Sequence, residues 1–87
     1  MDRMSAAQPT QDLPPDLAHA QLNQWWRVAP QDNANPRLQA LGFLPHEPVK
    51  VLRRSWFSGG ALVVQIGNAT FALRASEAAQ VALERAA

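Results

Sequence analysis

Four side chains have the chemistry to hold a divalent metal ion, and they lie in two pairs along the chain. Asp16 and His19 are three residues apart, which puts them on the same side of a helix if one forms there. His46 is followed directly by Glu47. Imidazole and carboxylate groups bind zinc or ferrous iron, but such sites commonly use three or four ligands. The pairs therefore predict at most a weak site for iron or zinc, or one that joins two copies of the chain as a weak homodimer.

A second candidate site combines positive charge with large rings. Arg53 and Arg54 are separated by one serine from Trp56 and Phe57, at the start of a glycine turn. Arginine and aromatic side chains dominate the binding energy of protein interfaces, so this segment is a candidate partner-binding site. In the alternative interpretation, one ring folds beneath the turn and completes a small core. Both interpretations stay open, and the two rings can divide the roles.

Four cations, Lys50, Arg53, Arg54 and Arg74, could share one basic face on neighbouring strands. Binding of RNA there would need aromatic side chains stacked beside the charges. The formal net charge is only +1, which is too close to neutral to attract nucleic acid by itself. We therefore expect no nucleic-acid partner, and an ordinary solvated face explains the same charges.

Several classes of protein are disfavoured by what the sequence lacks. It contains no nucleophile motif, phosphate-binding loop or metalloprotease motif, so we expect no enzymatic activity. It contains no cysteine, which excludes disulfides and zinc–thiolate sites. No apolar run approaches the roughly 20 residues that cross a bilayer, and the first residues lack an apolar signal core. We expect a cytoplasmic protein without membrane insertion and without a required cofactor.

These side chains must be positioned by a β-meander that begins at Val49. Two alternating apolar runs flank Gly67 and Asn68, and a two-residue loop there places six side chains on one side of a hairpin. The expected pairs are Ile66 with Ala69, Val64 with Phe71, and Leu62 with Leu73. Glycine at the first loop position favours a type II′ turn, because that position needs a positive φ. We expect Val64, Phe71, Leu73 and Leu41 to be buried together.

The strongest helix signal runs from Asn35 to Gly42. Asn35 is a suitable N-cap, Pro36 suits the first helical position, and Gly42 follows the end. Leu38 and Leu41 lie on one side of this helix. Two turns are too short to be stable alone, so the helix must pack on the sheet.

Shorter patterns predict the remaining elements. Residues 24–29 read as a first strand with Trp26 and Val28 in the core. A helix entered at Asp12 is expected over residues 16–23.

Near the C-terminus, Ser76 is expected to cap a short turn through Ala79. Val81 and Leu83 are expected in a last strand. Residues 1–11 are expected to be a disordered tail, and residues 12–87 a single domain. The predicted fold is mainly β, a small and partly open barrel of about five strands with one short helix between the first two.

About half of the chain resembles the FeoA family, the small accessory proteins of bacterial ferrous-iron uptake. The family pattern combines a Leu-x-x-Leu-Gly helix end, a proline loop, a Val-x-Val strand, a glycine turn and a closing Ala-Leu-Arg-x-x-Glu-Ala. The matching residues are Leu38, Leu41, Gly42, Phe43, Pro45, Val49, Val51, Leu52, Gly60, Val64, Ala72, Leu73, Arg74, Glu77 and Ala78. His46 departs from the pattern, since it stands where the family usually has glycine, and Trp56-Phe57 replaces a less aromatic approach to the turn.

This resemblance implies an SH3-like barrel without catalysis, whose partner is the cytoplasmic GTP-binding region of the FeoB-type membrane iron transporter. An alternative is a metal-responsive regulatory domain, since the C-terminal domains of iron-dependent repressors are also SH3-like. The helix-turn-helix with which those repressors bind DNA is missing here.

Overall fold

Alternating apolar residues build a five-stranded antiparallel sheet in the computed structural model, which describes residues 12–55 and 60–86. The strands are β1 (Trp26–Val28), β2 (Pro48–Arg54), β3 (Leu62–Ile66), β4 (Ala69–Leu73) and β5 (Leu83–Arg85). Their order in the sheet is β4-β3-β2-β1-β5. Within the described residues the edge strands β4 and β5 do not pair with each other, so the barrel is open, as predicted.

The β3–β4 hairpin has the predicted register. Its pairs are Leu62 with Leu73, Val63 with Ala72, Val64 with Phe71, Gln65 with Thr70 and Ile66 with Ala69. Gly67 has a φ of 57°, which agrees with glycine at the first position of a two-residue loop. The side chains of Leu62, Val64 and Leu73 are buried.

Helix α1 (Pro36–Leu41) begins and ends where the sequence predicts. The side chain of Asn35 accepts a hydrogen bond from the Arg37 N–H at 2.9 Å. Gly42 has a φ of 110°, and its N–H bonds back to helix carbonyls. Leu38 is buried, and Leu41 packs against the core but is only half-buried, so the predicted burial of Leu41 is confirmed in part.

The core lies between α1, the N-terminal segment and the inner face of the sheet. Trp26 and Val28 are buried, as predicted. Phe71 packs against the core but is only half-buried, so its predicted burial with Val64 and Leu73 is confirmed in part. The reason is that β4 is an edge strand: Val64 of β3 lies opposite Phe71 on one side, and no strand of the described residues lies on the other. The buried residues are Leu17, Ala20, Trp26, Val28, Leu38, Phe43, Val49, Val51, Leu62, Val64, Ile66, Leu73, Ala78, Val81 and Leu83.

The predicted helix over residues 16–23 is wrong: the chain forms only a short 3₁₀ helix (Leu17–His19). Asp16, rather than Asp12, caps it by accepting from the His19 N–H. The chain then turns extended because the Asn23 N–H bonds to the Val51 carbonyl at 2.7 Å, which a continued helix would prevent. Leu17 and Ala20 are buried in the core.

Two predictions near the C-terminus also need correction. Helix α2 (Ala75–Ala78) is capped at Arg74 and not at Ser76, because the Glu77 carboxylate accepts from the Arg74 N–H at 3.0 Å. Val81 is buried but precedes β5, since its N–H bonds to the Ala78 carbonyl in the turn after α2.

Candidate functional site

A β-bulge at Leu52 decides where the two adjacent arginines of β2 point. Val51 pairs with Val64 on β3, but the next pair is Arg53 with Val63, so Leu52 is an extra residue. After it, Arg54 lies opposite the buried Leu62 and Arg53 opposite the half-buried Val63. Strict alternation would have placed Arg53 on the core side with Val51. The bulge therefore sends Arg54 towards the core and Arg53 to the outer face.

Arg54 is used inside the fold. Its Nη2 donates to the carbonyl oxygens of Ala18 at 2.9 Å and Ala20 at 2.8 Å. The guanidinium thereby fastens the N-terminal segment to the end of β2. Of the predicted partner-binding residues, Arg53 is exposed, whereas Trp56 and Phe57 lie outside the described residues. Their role as a binding anchor stays a prediction.

The outer face of β2, β3 and β4 carries positive charge and no negative charge. The described strands Pro48–Arg54, Leu62–Ile66 and Ala69–Leu73 contain no aspartate or glutamate. Lys50 pairs with Gln65, and Arg74 follows Leu73 on the side opposite the core. A depression beside this surface is lined by Arg53, Arg54, Ser55, Ala61, Leu62, Val63 and Ala72. We call this surface, with Lys50, Arg53 and Arg74, the basic face.

One contact beside the basic face was not expected from the sequence. The Nζ of Lys50 lies 4.5 Å from the centroid of the Trp25 ring, a cation–π contact. Trp25 remains 38% exposed, and Leu22 nearby in the chain is 46% exposed. The pairing of β1 with β2 brings Trp25 beside Lys50, and no sequence spacing between residues 25 and 50 indicates it.

The structure rearranges the candidate metal ligands. His19 Nδ1 and Asp16 Oδ1 are 2.8 Å apart, so the first predicted pair is in contact. The second predicted pair is not in contact: His46 Nδ1 instead lies 2.6 Å from Oε2 of Glu84 on β5. Glu47 points to the β3–β4 turn, and its Oε1 lies 3.5 Å from the place that a Cβ would occupy if Gly67 had one. Among residues 12–55 and 60–86, no three histidine, aspartate or glutamate side chains come together as a metal site.

No helix in the described part of the chain is long and apolar enough to span a bilayer.

Comparison with known families and structures agrees with the observed fold. The sequence model of the FeoA domain matches residues 26–85. A search of curated proteins finds no significant match.

Two solved structures share the fold. The first is FeoA from Stenotrophomonas maltophilia in complex with zinc, which is described as a prokaryotic SH3 domain protein. It is 31% identical to this chain, with a TM-score of 0.61, and the match covers 83% of this chain and 98% of that one. Iron(II) transport protein A from Clostridium thermocellum is 22% identical with a TM-score of 0.67 over 80% of this chain. The match spans only 44% of the Clostridium chain, and at that identity it shows the fold alone.

Proposed function

Because the chain belongs to the FeoA domain family, we propose that it is an accessory protein of ferrous-iron uptake that binds the cytoplasmic GTP-binding region of a FeoB-type transporter. The family match over residues 26–85 carries this proposal. The S. maltophilia relative, which covers the same fold almost end to end, has been suggested to act as a bacterial ferrous iron transport activating factor. An accessory protein of this kind works in the cytoplasm beside the transporter.

The proposed mechanism is non-catalytic. A bound protein shifts its partner between conformations only if it binds one of them more tightly. The basic face supplies a surface for such binding, because Arg53 is exposed and the strands around it carry no carboxylate. Cations on this face accelerate the approach of an acidic surface more than they raise the final affinity.

Titration against the purified GTP-binding region of the transporter tests this function. We expect binding that differs between the GDP-loaded and GTP-analogue-loaded forms. Arg53→Ala is expected to slow association and to reduce its salt sensitivity, because it removes an exposed attractive charge.

Arg27→Ala is the matched control. Arg27 is exposed on the same outer face, but it lies on β1 opposite Glu84 of β5, so a carboxylate is carried by its neighbouring strand. This variant should associate at the parental rate. Absence of binding to both nucleotide states, with the parent chain folded by circular dichroism, contradicts the proposed function.

A further inference from the structure

The edge strand β4 offers unpaired backbone groups along its outer side. The residues that flank a two-residue hairpin loop form a hydrogen-bonded pair, and such pairs alternate along the ladder. Ile66 and Ala69 flank the loop here, so Val64 with Phe71 and Leu62 with Leu73 are the next hydrogen-bonded pairs. The N–H and C=O groups of Thr70 and Ala72 therefore point away from β3.

Neither of these residues has a partner among the described residues on that side. Thr70 and Ala72 are both exposed. The next outward N–H along the edge belongs to Arg74, and it is already bound by the Glu77 carboxylate at 3.0 Å. The uncovered stretch is thus short and defined, with two donors and two acceptors.

The usual protections of an edge strand are missing from β4. Natural edges carry charges, prolines or bulges that prevent pairing with another strand. The sequence of β4, Ala-Thr-Phe-Ala-Leu, has neither charge nor proline, and its pairing with β3 runs through five consecutive pairs without a bulge. Phe71 is half-buried beside the same edge.

We propose that β4 is a docking edge for an extended segment of a partner protein, which adds a sixth strand with alternating apolar and acidic residues. This proposal rests on the proposed function, because the extended segment would be part of the transporter's cytoplasmic region. The added strand pairs its backbone with Thr70 and Ala72. Its apolar side chains lie on the inner face next to Phe71.

Charge decides the chemistry of its other side chains. Residues of the added strand that lie beside Thr70 and Ala72 face outward, on the surface that carries Arg53 and Arg74. Strands β2, β3 and β4 carry no carboxylate, and the Glu77 carboxylate beside Arg74 is already held by the Arg74 N–H and by the Arg37 guanidinium. Acidic side chains at alternate positions therefore complement the basic face.

The same charges argue against a second copy of this chain. An antiparallel copy of β4 contributes no carboxylate and brings another Arg74 to the same sheet. Among the described residues, the Trp25 ring beside the basic face already packs against Lys50, which disfavours the stacking of nucleic-acid bases on it.

The first experiment uses two probe peptides with the ¹⁵N-labelled full chain. One alternates valine with glutamate, and the other alternates valine with lysine. We expect the glutamate peptide to bind more tightly, with the largest amide shifts and slowed exchange at Thr70 and Ala72. Equal binding of both peptides, or no binding to the folded parent, overturns the proposal. Tighter binding of a single-stranded oligothymidylate than of the glutamate peptide also overturns it.

Variants at the edge separate backbone pairing from charge. Thr70→Pro removes an N–H that the fold does not use, and edge strands tolerate proline where the N–H faces outward. We expect the affinity for the glutamate peptide to fall about tenfold, as for one lost hydrogen bond.

Ala72→Glu and Ala72→Lys form a matched pair of variants that keeps the backbone N–H and changes only the charge. Ala72→Glu should weaken binding of the glutamate peptide, and Ala72→Lys should not. Equal effects of the two Ala72 variants, or parental affinity in Thr70→Pro, overturn the proposal.

Two further measurements distinguish this inference from its alternatives. Sedimentation of the parent chain tests whether two copies pair through β4. A dimer that Thr70→Pro dissociates would assign the edge to a second copy of the chain and overturn the proposal of an acidic partner.

Titration with the transporter's GTP-binding region separates the edge proposal from the proposed function. If that region binds Thr70→Pro and the parent equally, the edge proposal fails while the proposed function stands. If the region does not bind but the glutamate peptide binds at Thr70 and Ala72, the proposed function fails while the edge proposal stands.

Discussion

The two edges of the sheet are built in opposite ways. Strand β5 has three residues, of which Glu84 and Arg85 are charged, and Glu84 contacts His46 at 2.6 Å. Strand β4 has five residues without charge, and its outward backbone groups at Thr70 and Ala72 are uncovered in the described structure. Short, charged edges resist pairing with other chains. We call the β5 edge the closed side, because its short and charged strand resists pairing, and the β4 edge the open side.

The closed side is also tied to the rest of the chain. Just before β5, the Val81 carbonyl accepts from the Leu17 N–H at 3.0 Å and the Ala82 carbonyl accepts from the Ala29 N–H at 2.9 Å. On the open side, the attachments in the described residues lie at the two ends of β4: the Gly67 N–H donates to the Pro48 carbonyl and the Arg74 N–H to the Glu77 carboxylate, both at 3.0 Å. Substitutions can therefore weaken each side separately.

The largest expected effect concerns the open side. Leu73→Ala should lower the free energy of unfolding by about 2–5 kcal/mol, because the side chain is only 1% exposed and its removal leaves a cavity. Phe71→Ala should cost less than the about 3–5 kcal/mol typical of a fully buried phenylalanine, because its ring lies half-exposed at the edge. Urea denaturation of both variants measures the difference. A larger loss of stability for Phe71→Ala than for Leu73→Ala would mean that the Phe71 ring is buried and that the β4 edge is covered.

A smaller effect is expected when the N-terminal segment, which bonds to the closed side at Val81, is loosened through Arg54. Arg54→Ala removes two hydrogen bonds from a charged donor to the carbonyls of Ala18 and Ala20, and should cost about 1–3 kcal/mol. Arg53→Ala is the matched control, since this exposed neighbour should change the free energy of unfolding by less than about 0.5 kcal/mol. Amide exchange at Asn23 should accelerate only in Arg54→Ala. Equal stability of the two variants would contradict the conclusion that the bulge turns Arg54 towards the core and Arg53 towards solvent.

The smallest expected effect concerns His46, which contacts the closed edge. His46 has a φ of 72°, a left-handed conformation in which glycine is unstrained. His46→Gly and Glu84→Ala both remove the exposed pair between the two side chains, but only the glycine variant relieves the backbone. We expect His46→Gly to be the more stable of the two by about 1 kcal/mol in thermal unfolding. The reverse order would show that His46 carries no backbone strain.

Sequence patterns predicted the parts of the fold that depend on local chemistry. The register of the β3–β4 hairpin followed from Gly67 and the alternation on either side of it. Helix α1 followed from Asn35 and Gly42, whose capping roles depend on one side chain and one backbone conformation. These signals lie within a few residues of the structure that they specify.

The features that were missed depend on distant residues. The β-bulge at Leu52 has no glycine that would indicate it in the sequence, so strict alternation could not predict that Arg54 points inward. The half-burial of Phe71 follows from the order of strands, and a two-residue period does not contain that order. The contact of His46 with Glu84 joins two residues 38 apart. Among the candidate site residues, only the Asp16–His19 contact could be anticipated, because it is local.

The attachment of the N-terminal segment bears on where this unit can be cut. The family match begins at residue 26, but Leu17 is fully buried and Arg54 binds the carbonyls of Ala18 and Ala20. A fragment trimmed to the matched region would lose a core side chain and leave a guanidinium without its acceptors. The working boundary for expression, fusion or grafting of this unit therefore lies before Asp16.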